Sequence, residues 1–211
     1  IGMRDQIQDK CRKLGRKGKL DYTQGATSVM SAYLADQIRT VIGDVASAAF
    51  DVMNWLSSAA STKAAVVDDL CGALSWVTPT GLPVTQEYYD YDTQRFKVFV
   101  EGRSVKFTQR MGPAQIKKSK QRQGAAPNFV HSLDASHLML TVNECAKQGI
   151  ECFAMIHDSF GTYASDTPAM FEILRHKFAE MYDSNVLLEL YEDMPDEVKA
   201  VLSPPPGQGT L

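Results

Sequence analysis

Residues 151–166 read Glu-Cys-Phe-Ala-Met-Ile-His-Asp-Ser-Phe-Gly-Thr-Tyr-Ala-Ser-Asp, and no other stretch restricts the chain as much. Two short runs of β-forming residues, Cys152 to Ile156 and Phe160 to Tyr163, flank a tight polar centre, His157-Asp158-Ser159. Side chains that suit a pleated surface on either side of turn formers predict a β-hairpin, with Asp158 at its tip. A carboxylate held there can project into a cleft and take a divalent cation, as one ligand of a two-metal nucleotidyl-transfer site. The alternative is a purely structural turn, because Asp and Ser are ordinary turn residues.

Upstream lies a second block, Ala126-Pro127-Asn128-Phe129-Val130-His131-Ser132-Leu133-Asp134-Ala135-Ser136-His137. With Ile156-His157-Asp158-Ser159-Phe160-Gly161-Thr162, in this order and at this separation, it resembles the palm of the single-subunit RNA polymerases of T7-like bacteriophages. Family-A DNA polymerases usually carry Glu directly after the corresponding His-Asp, and mitochondrial RNA polymerases usually depart from Asp-Ser-Phe-Gly-Thr; Ser159-Phe160-Gly161 is similar to the phage form. Met53-Asn54-Trp55-Leu56-Ser57-Ser58-Ala59-Ala60 carries the same resemblance and is expected to be scaffold.

The resemblance implies an α+β fold, mostly helical with small antiparallel hairpins, forming part of the palm and fingers of a right-hand polymerase. It implies template-directed attack of an RNA 3′-hydroxyl on the α-phosphate of a nucleoside triphosphate, with two Mg²⁺ ions in the complete enzyme. Asp158 becomes a metal ligand, and His157 orients the turn or approaches the primer end. His131 comes to lie near the incoming nucleotide, where a neutral imidazole can exchange a hydrogen bond with a 2′-hydroxyl or a bridging water and help select ribose. Read from residues alone, a single helical histidine is more often a structural residue, and His137 is expected to be one. The implied partners are double-stranded promoter DNA, the template strand, nascent RNA and NTPs, in the cytoplasm of the infected bacterial host.

Composition excludes some classes. The 211 residues with 44% apolar content suit one or two globular domains rather than a disordered chain. Cys11, Cys71, Cys145 and Cys152 lack metal-ligand spacing and read as reduced, mostly buried thiols. No apolar run approaches the roughly 18 residues of a membrane span, so no membrane partner is expected. A net charge of −3 does not itself announce a nucleic-acid binder, but the charges are segregated. Residues 4–19 are rich in Arg and Lys, residues 95–122 hold nine basic residues against the single acid Glu101, and residues 180–197 are purely acidic. That pattern fits a basic channel for a phosphate backbone, although charge runs are more often simply solvated faces.

Along the chain, apolar spacing predicts a helix from Thr27 to about Ile42, stopped at Gly43, with Met30, Tyr33, Leu34, Ile38, Val41 and Ile42 as its stripe. A second helix comes next, with Phe50, Met53, Leu56, Ala60, Ala64, Val67 and Leu70 facing the core. Residues 95–107 alternate charged and apolar side chains on both sides of Gly102, which predicts a two-stranded ribbon of a kind that fits a DNA major groove. In the family a hairpin at this place reads promoter bases, so the resemblance makes Arg95 and Lys97 base-edge candidates, and Arg103 and Lys106 candidates for base or phosphate. Lys117, Lys118, Lys120 and Arg122 form an expected basic loop ahead of a helix that starts at Pro127-Asn128 and runs to about Lys147, with Gly149 as its stop. Thr167-Pro168 opens a further helix, whose buried stripe is Met170, Phe171, Leu174, Phe178, Met181 and Tyr182.

Three parts are expected: residues 1–75, a helical fingers and palm-connecting part; 76–126, the promoter-recognition hairpin region and basic loop; and 127–211, the palm helix, catalytic hairpin and C-terminal helix. The family also needs a second metal-binding aspartate and a fingers helix with Lys, Arg and Tyr, and neither is visible in these residues. Ile1-Gly2-Met3-Arg4 resembles the residues just past that fingers helix. The expectation is therefore a fragment, inactive alone, that needs a missing N-terminal part or partner chain. A naturally split polymerase subunit and a non-catalytic DNA-binding module derived from one are the alternatives.

Overall fold

In the computed structural model, residues 2–17, 24–67, 69–156 and 158–207 are described. Contacts divide the chain into two units, Ile1–Asp51 and Val52–Leu211. The fold is α+β and mostly helical, with three two-stranded antiparallel sheets among the described residues.

The first unit contains α1 (Met3–Arg16) and α2 (Gln24–Val45). Helix α1 carries Asp5 in its first turn and Lys13 and Arg16 in its last, which complements the helix dipole. Its Arg4 guanidinium donates to Ser28 Oγ at 2.9 Å. Helix α2 passes through Gly43 and ends only at Val45, because one flexible residue costs a helix about 1 kcal/mol and does not end it. The apolar stripe is present but uncovered: Tyr33 is 63% exposed and Val45 82%, and Met30, Leu34, Ile38, Val41 and Ile42 are exposed as well.

The second unit is built on α4 (Lys118–Lys147) and on the part of α3 (Ser47–Val66) from Val52 onward. Its core joins Leu56, Ala59 and Ala60 of α3 to Ala125, Phe129 and Leu133 of α4, with Leu74 and Trp76 beside them. The chain after α5 (Thr167–Met181) folds back through α6 (Val186–Glu192) and α7 (Asp196–Lys199), bringing Leu190, Met194, Val198 and Leu202 into the same core. Trp55 Nε1–H donates to the Ser203 carbonyl at 2.9 Å and closes that return. Each large apolar side chain buried here contributes roughly 1.5–3 kcal/mol. The stripe of α3 is shorter than expected, for the helix ends at Val66, and Met53 and Leu70 are exposed.

Helix α4 corrects the expected basic loop. It begins at Lys118, so Lys118, Lys120 and Arg122 lie on its first turns, and Pro127 sits in its interior. An interior proline removes one backbone hydrogen bond and costs about 3 kcal/mol; the turns before it are held by fully buried Gln121 and Ala125. The helix thus runs through the 126/127 division expected from sequence. Its other end stops as expected. Gly149 takes φ +86°, its N–H donates to the Ala146 carbonyl and that of Ile150 to the Cys145 carbonyl, a Schellman termination.

After the short hairpin of β1 (Ser75–Val77) and β2 (Pro83–Thr85), a ribbon of β3 (Tyr89–Val100) and β4 (Arg103–Ile116) rises from the unit. It is longer than the expected 95–107. Val100 pairs with Arg103 across Glu101-Gly102, both at positive φ (49° and 76°), a two-residue turn of the primed type that matches strand twist. The third sheet pairs β5 (Ala154–Ile156) with β6 (Ser159–Gly161). Cys11 and Cys145 are buried and Cys71 and Cys152 exposed, so half of the free thiols are covered.

Candidate active-site hairpin and nucleic-acid face

The β5–β6 hairpin is tighter than expected. Ile156 pairs with Ser159, which places Ser159 in a strand and leaves positions 157 and 158 as the connection. Asp158 is exposed at this tip, and His157 lies outside the described residues. The hairpin base is tied by the Thr162 hydroxyl, which donates to the Cys152 carbonyl at 2.8 Å. Below it, Phe153, Met155 and Phe160 pack on a small core of Cys145, Ile150, Met170 and Ile173. Ile173 takes the buried place expected of Phe171, and both Phe171 and Phe178 are exposed. Asp166, not Thr167, occupies the position before α5; Thr167 is its first residue and Pro168 comes within the first turn.

Helix α4 connects this hairpin with the rest of the site. The His137 ring packs tilted against Phe160 of β6, with centroids 5.5 Å apart, and edge-on against Phe178 of α5 at 5.2 Å, while Lys177 of α5 lies 3.6 Å from Glu144 of α4. His131 stands exposed on the same helix, six residues and ~9 Å of axial rise earlier. Among the described residues no three His, Cys, Asp or Glu side chains come together as a metal-binding group. Asp158 therefore has no closed set of metal-ligating side chains around it among the described residues.

The ribbon sorts its basic residues by face. The pairs Arg95↔Thr108, Lys97↔Lys106 and Thr93↔Arg110 share one side, and Phe96↔Phe107, Val98↔Val105 and Val100↔Arg103 share the other. Three of the four expected residues, Arg95, Lys97 and Lys106, thus stand together, and Arg103 points the opposite way near the tip. Arg110 completes the basic side; the alternation Lys106, Thr108, Arg110 was the signal for it, and reading the strand only to Phe107 missed it. Lys97 directly opposite Lys106 costs the free ribbon stability, which a bound polyanion would relieve.

At the start of α4, Lys117 donates to Asp90 Oδ2 at 2.8 Å and so braces the ribbon. Lys118 and Arg122, one turn apart, flank Ser61, Ser119 and Gln123 in a depression of about 340 Å³. Arg122 also borders a neighbouring depression of about 560 Å³ lined by Asn54, Ser57, Ser58, Ser61 and Thr62 of α3. Among the described residues, no carboxylate pairs with Lys118, Lys120 or Arg122. The first turn of α4 also holds no acidic residue, so the positive end of the helix dipole adds to these cations.

A family model described as DNA-dependent RNA polymerase matches residues 1–205. The chain belongs to the DNA-dependent RNA polymerase family. It is 38% identical over 205 residues, 97% of its length, to the chloroplastic DNA-directed RNA polymerase 3 of Nicotiana sylvestris. It is 39% identical over 181 residues, 80% of its length, to the DNA-directed RNA polymerase of Enterobacteria phage K11. The chloroplastic/mitochondrial RNA polymerase 2 of Arabidopsis thaliana is 34% identical over 212 residues, covering the whole chain. In each case the chain spans about a fifth (20%) of the relative's length. Within this polymerase-family chain, α4 carries His131 and braces the hairpin that presents Asp158, and its first turns carry the unpaired cations.

Proposed function

We propose that the protein containing this chain is a DNA-directed RNA polymerase, and that these residues form its catalytic hairpin, its nucleotide-facing helix and its promoter-reading ribbon. The observation that carries the reading is Asp158, exposed at a two-residue tip and braced through Phe160 and His137 to the helix that bears His131. Asp158 is one ligand of Mg²⁺, and further ligands come from elsewhere in the full-length protein. When bound, the metal ions polarise the reacting phosphate and lower the pKa of the attacking hydroxyl. His157 orients the tip or approaches the primer end. His131 meets the sugar edge of the incoming nucleotide.

The ribbon face of Arg95, Lys97, Lys106 and Arg110 enters the major groove of promoter DNA, with Arg103 reaching base or phosphate from the other side. Lys117, Lys118, Lys120 and Arg122 attract the phosphate backbone. Template strand, nascent RNA and NTPs are the remaining partners, and the proposed setting is the cytoplasm of an infected bacterial host. No described helix is long and apolar enough to cross a membrane.

The test is primer extension with Mg²⁺. The 211-residue chain alone is expected to make no RNA, since one carboxylate does not hold two cations roughly 3.5–4 Å apart. The full-length protein is expected to extend a primed template. Extension by the isolated chain, or none by the full-length protein, overturns the reading.

A further inference from the structure

Both roots of the β3–β4 ribbon are seated on glycines. Tyr88, just before β3, lies against Gly124 of α4: a Cβ there would be 2.6 Å from Tyr88 Cε2 and 2.9 Å from Gln86 Oε1. Ile116, the last residue of β4, lies against Gly72, where a Cβ would be 3.0 Å from Ile116 Cδ1. A polar network, buried at Gln86 and Gln121 and half-buried at Tyr88 and Asn128, surrounds the first seat. Asn128 Nδ2 donates to Gln86 Oε1 at 2.9 Å and to the Tyr88 hydroxyl at 3.0 Å. Fully buried Gln121 donates to the Gln86 carbonyl at 2.7 Å, and the Lys117 N–H donates to the Tyr88 carbonyl at 2.9 Å.

Apolar packing alone would hold the strands here but would tolerate small rotations, because it is not directional. Hydrogen bonds are directional, and a shifted root would leave the buried Gln121 and Gln86 groups unpaired at a cost. Beyond the root the register breaks: Asp90 pairs with Gln115 but Asp92 with Met111, and Gly112 takes φ +77°. From there residues 92–100 extend ~30 Å, so a tilt of about 10° at the root moves the tip by about 5 Å. Reading bases tolerates errors of only about 0.5 Å.

We propose that Gln86, Tyr88, Gly124 and Asn128 are positioning residues. They lock the direction of the ribbon relative to α4. A distance between ribbon and helix tests the lock without the polymerase reading, whereas DNA preference tests it on that reading.

Spin labels on unnatural side chains at positions 106 and 143 of the full-length protein leave native cysteines untouched and report the ribbon's angle to α4. Wild type is expected to give one narrow distance distribution, Gly124→Ala to move its centre by about 3 Å or more through the clash of the added Cβ, and Tyr88→Phe to broaden it. Should Gly124→Ala fail to fold, Tyr88→Phe, which removes only a hydroxyl, decides. Folded variants with the wild-type distribution, or a wild type as broad as the variants, overturn the lock. In the DNA measurement, Tyr88→Phe is expected to lower preference for promoter over scrambled duplex about tenfold and leave extension of a preformed primer unchanged. Equal loss of both marks a merely structural role and overturns positioning. A wild type with no sequence preference instead overturns promoter reading by the ribbon, and the distance measurement still decides the lock.

Discussion

His137 reaches from α4 to α5, where its Nε2 lies 2.9 Å from the carbonyl oxygen of Leu174. The carbonyl only accepts, so this nitrogen carries the proton. The same ring packs on Phe160 and Phe178, which makes His137 the brace between the Asp158 hairpin and the helices beneath it. Among the described residues, His131 has no such hydrogen bond or ring contact. His137→Ala is therefore expected to cost about 1–3 kcal/mol through the lost hydrogen bond and packing, and His131→Ala to stay within about 0.5 kcal/mol. If His131 meets the ribose, its variant lowers the preference for ribonucleotides over deoxyribonucleotides in the full-length enzyme. Chemical denaturation and the ratio of incorporation efficiencies separate the two histidines; an unchanged ratio with a large loss of stability in His131→Ala would contradict this division.

Asp158→Asn tests the hairpin tip. The side chain is exposed, so the melting temperature of the variant is expected to match wild type, with a stability change under about 0.5 kcal/mol. Removing the charge takes away a hard anionic ligand, and single-turnover incorporation by the full-length protein is expected to fall at least 100-fold. Near-normal single-turnover activity removes Asp158 from the metal site.

The hairpin and the ribbon were legible in the sequence because two β-forming runs around turn residues admit few other structures. Tertiary effects decided the rest. Pro127 carries a helix-start signal, yet packing of Gln121 and Ala125 extends α4 two turns before it. Gly112 and Pro113 look like strand breakers, yet a bulge absorbs them and the ribbon continues to Ile116. The stripe of α2 was legible as a period, but periodicity does not tell whether anything covers it. The grouping of Arg95, Lys97, Lys106 and Arg110 needed the register, which fixes the shared face once Val100 is paired with Arg103.

The register makes the ribbon's two roles separable. Arg95→Ala, Lys97→Ala or Arg110→Ala is expected to cost about 1–3 kcal/mol on the preferred duplex and to relax base preference. Lys118→Ala or Arg122→Ala is expected to weaken all duplexes alike and reduce the salt slope by about 1. Lys106→Glu replaces a like-charge pair with an opposite one, and so is expected to stabilise the ribbon by about 0.2–1 kcal/mol while it weakens DNA binding. Binding measured on preferred and scrambled duplexes at several salt concentrations checks all three. Uniform losses from both groups would make the ribbon an electrostatic arm only.

Lys63 gives a prediction about pH. Only 8% exposed on α3, it donates to Ser75 Oγ at 3.1 Å, and among the described residues no carboxylate pairs with it. Burial pushes its ammonium pKa down from the ordinary 10.5, and electrostatic attraction to Cys71 opposes part of that shift. Below the folded-state pKa the lysine is protonated in both states, and the full penalty for burying a charge is present. Between that pKa and 10.5 the unfolded chain holds a proton that the native chain has released, so this group makes stability rise with pH. Lys63→Met removes the charge and keeps the length of the side chain. Its melting temperature is expected to exceed that of wild type at pH 7, by about 2–4 °C for each kcal/mol of penalty removed. That advantage is expected to shrink as pH approaches 10.5, because wild type then sheds the proton itself. Thermal melts of both proteins across this range check it; a difference that stays constant or widens would mean that Lys63 is not held as a strained buried cation.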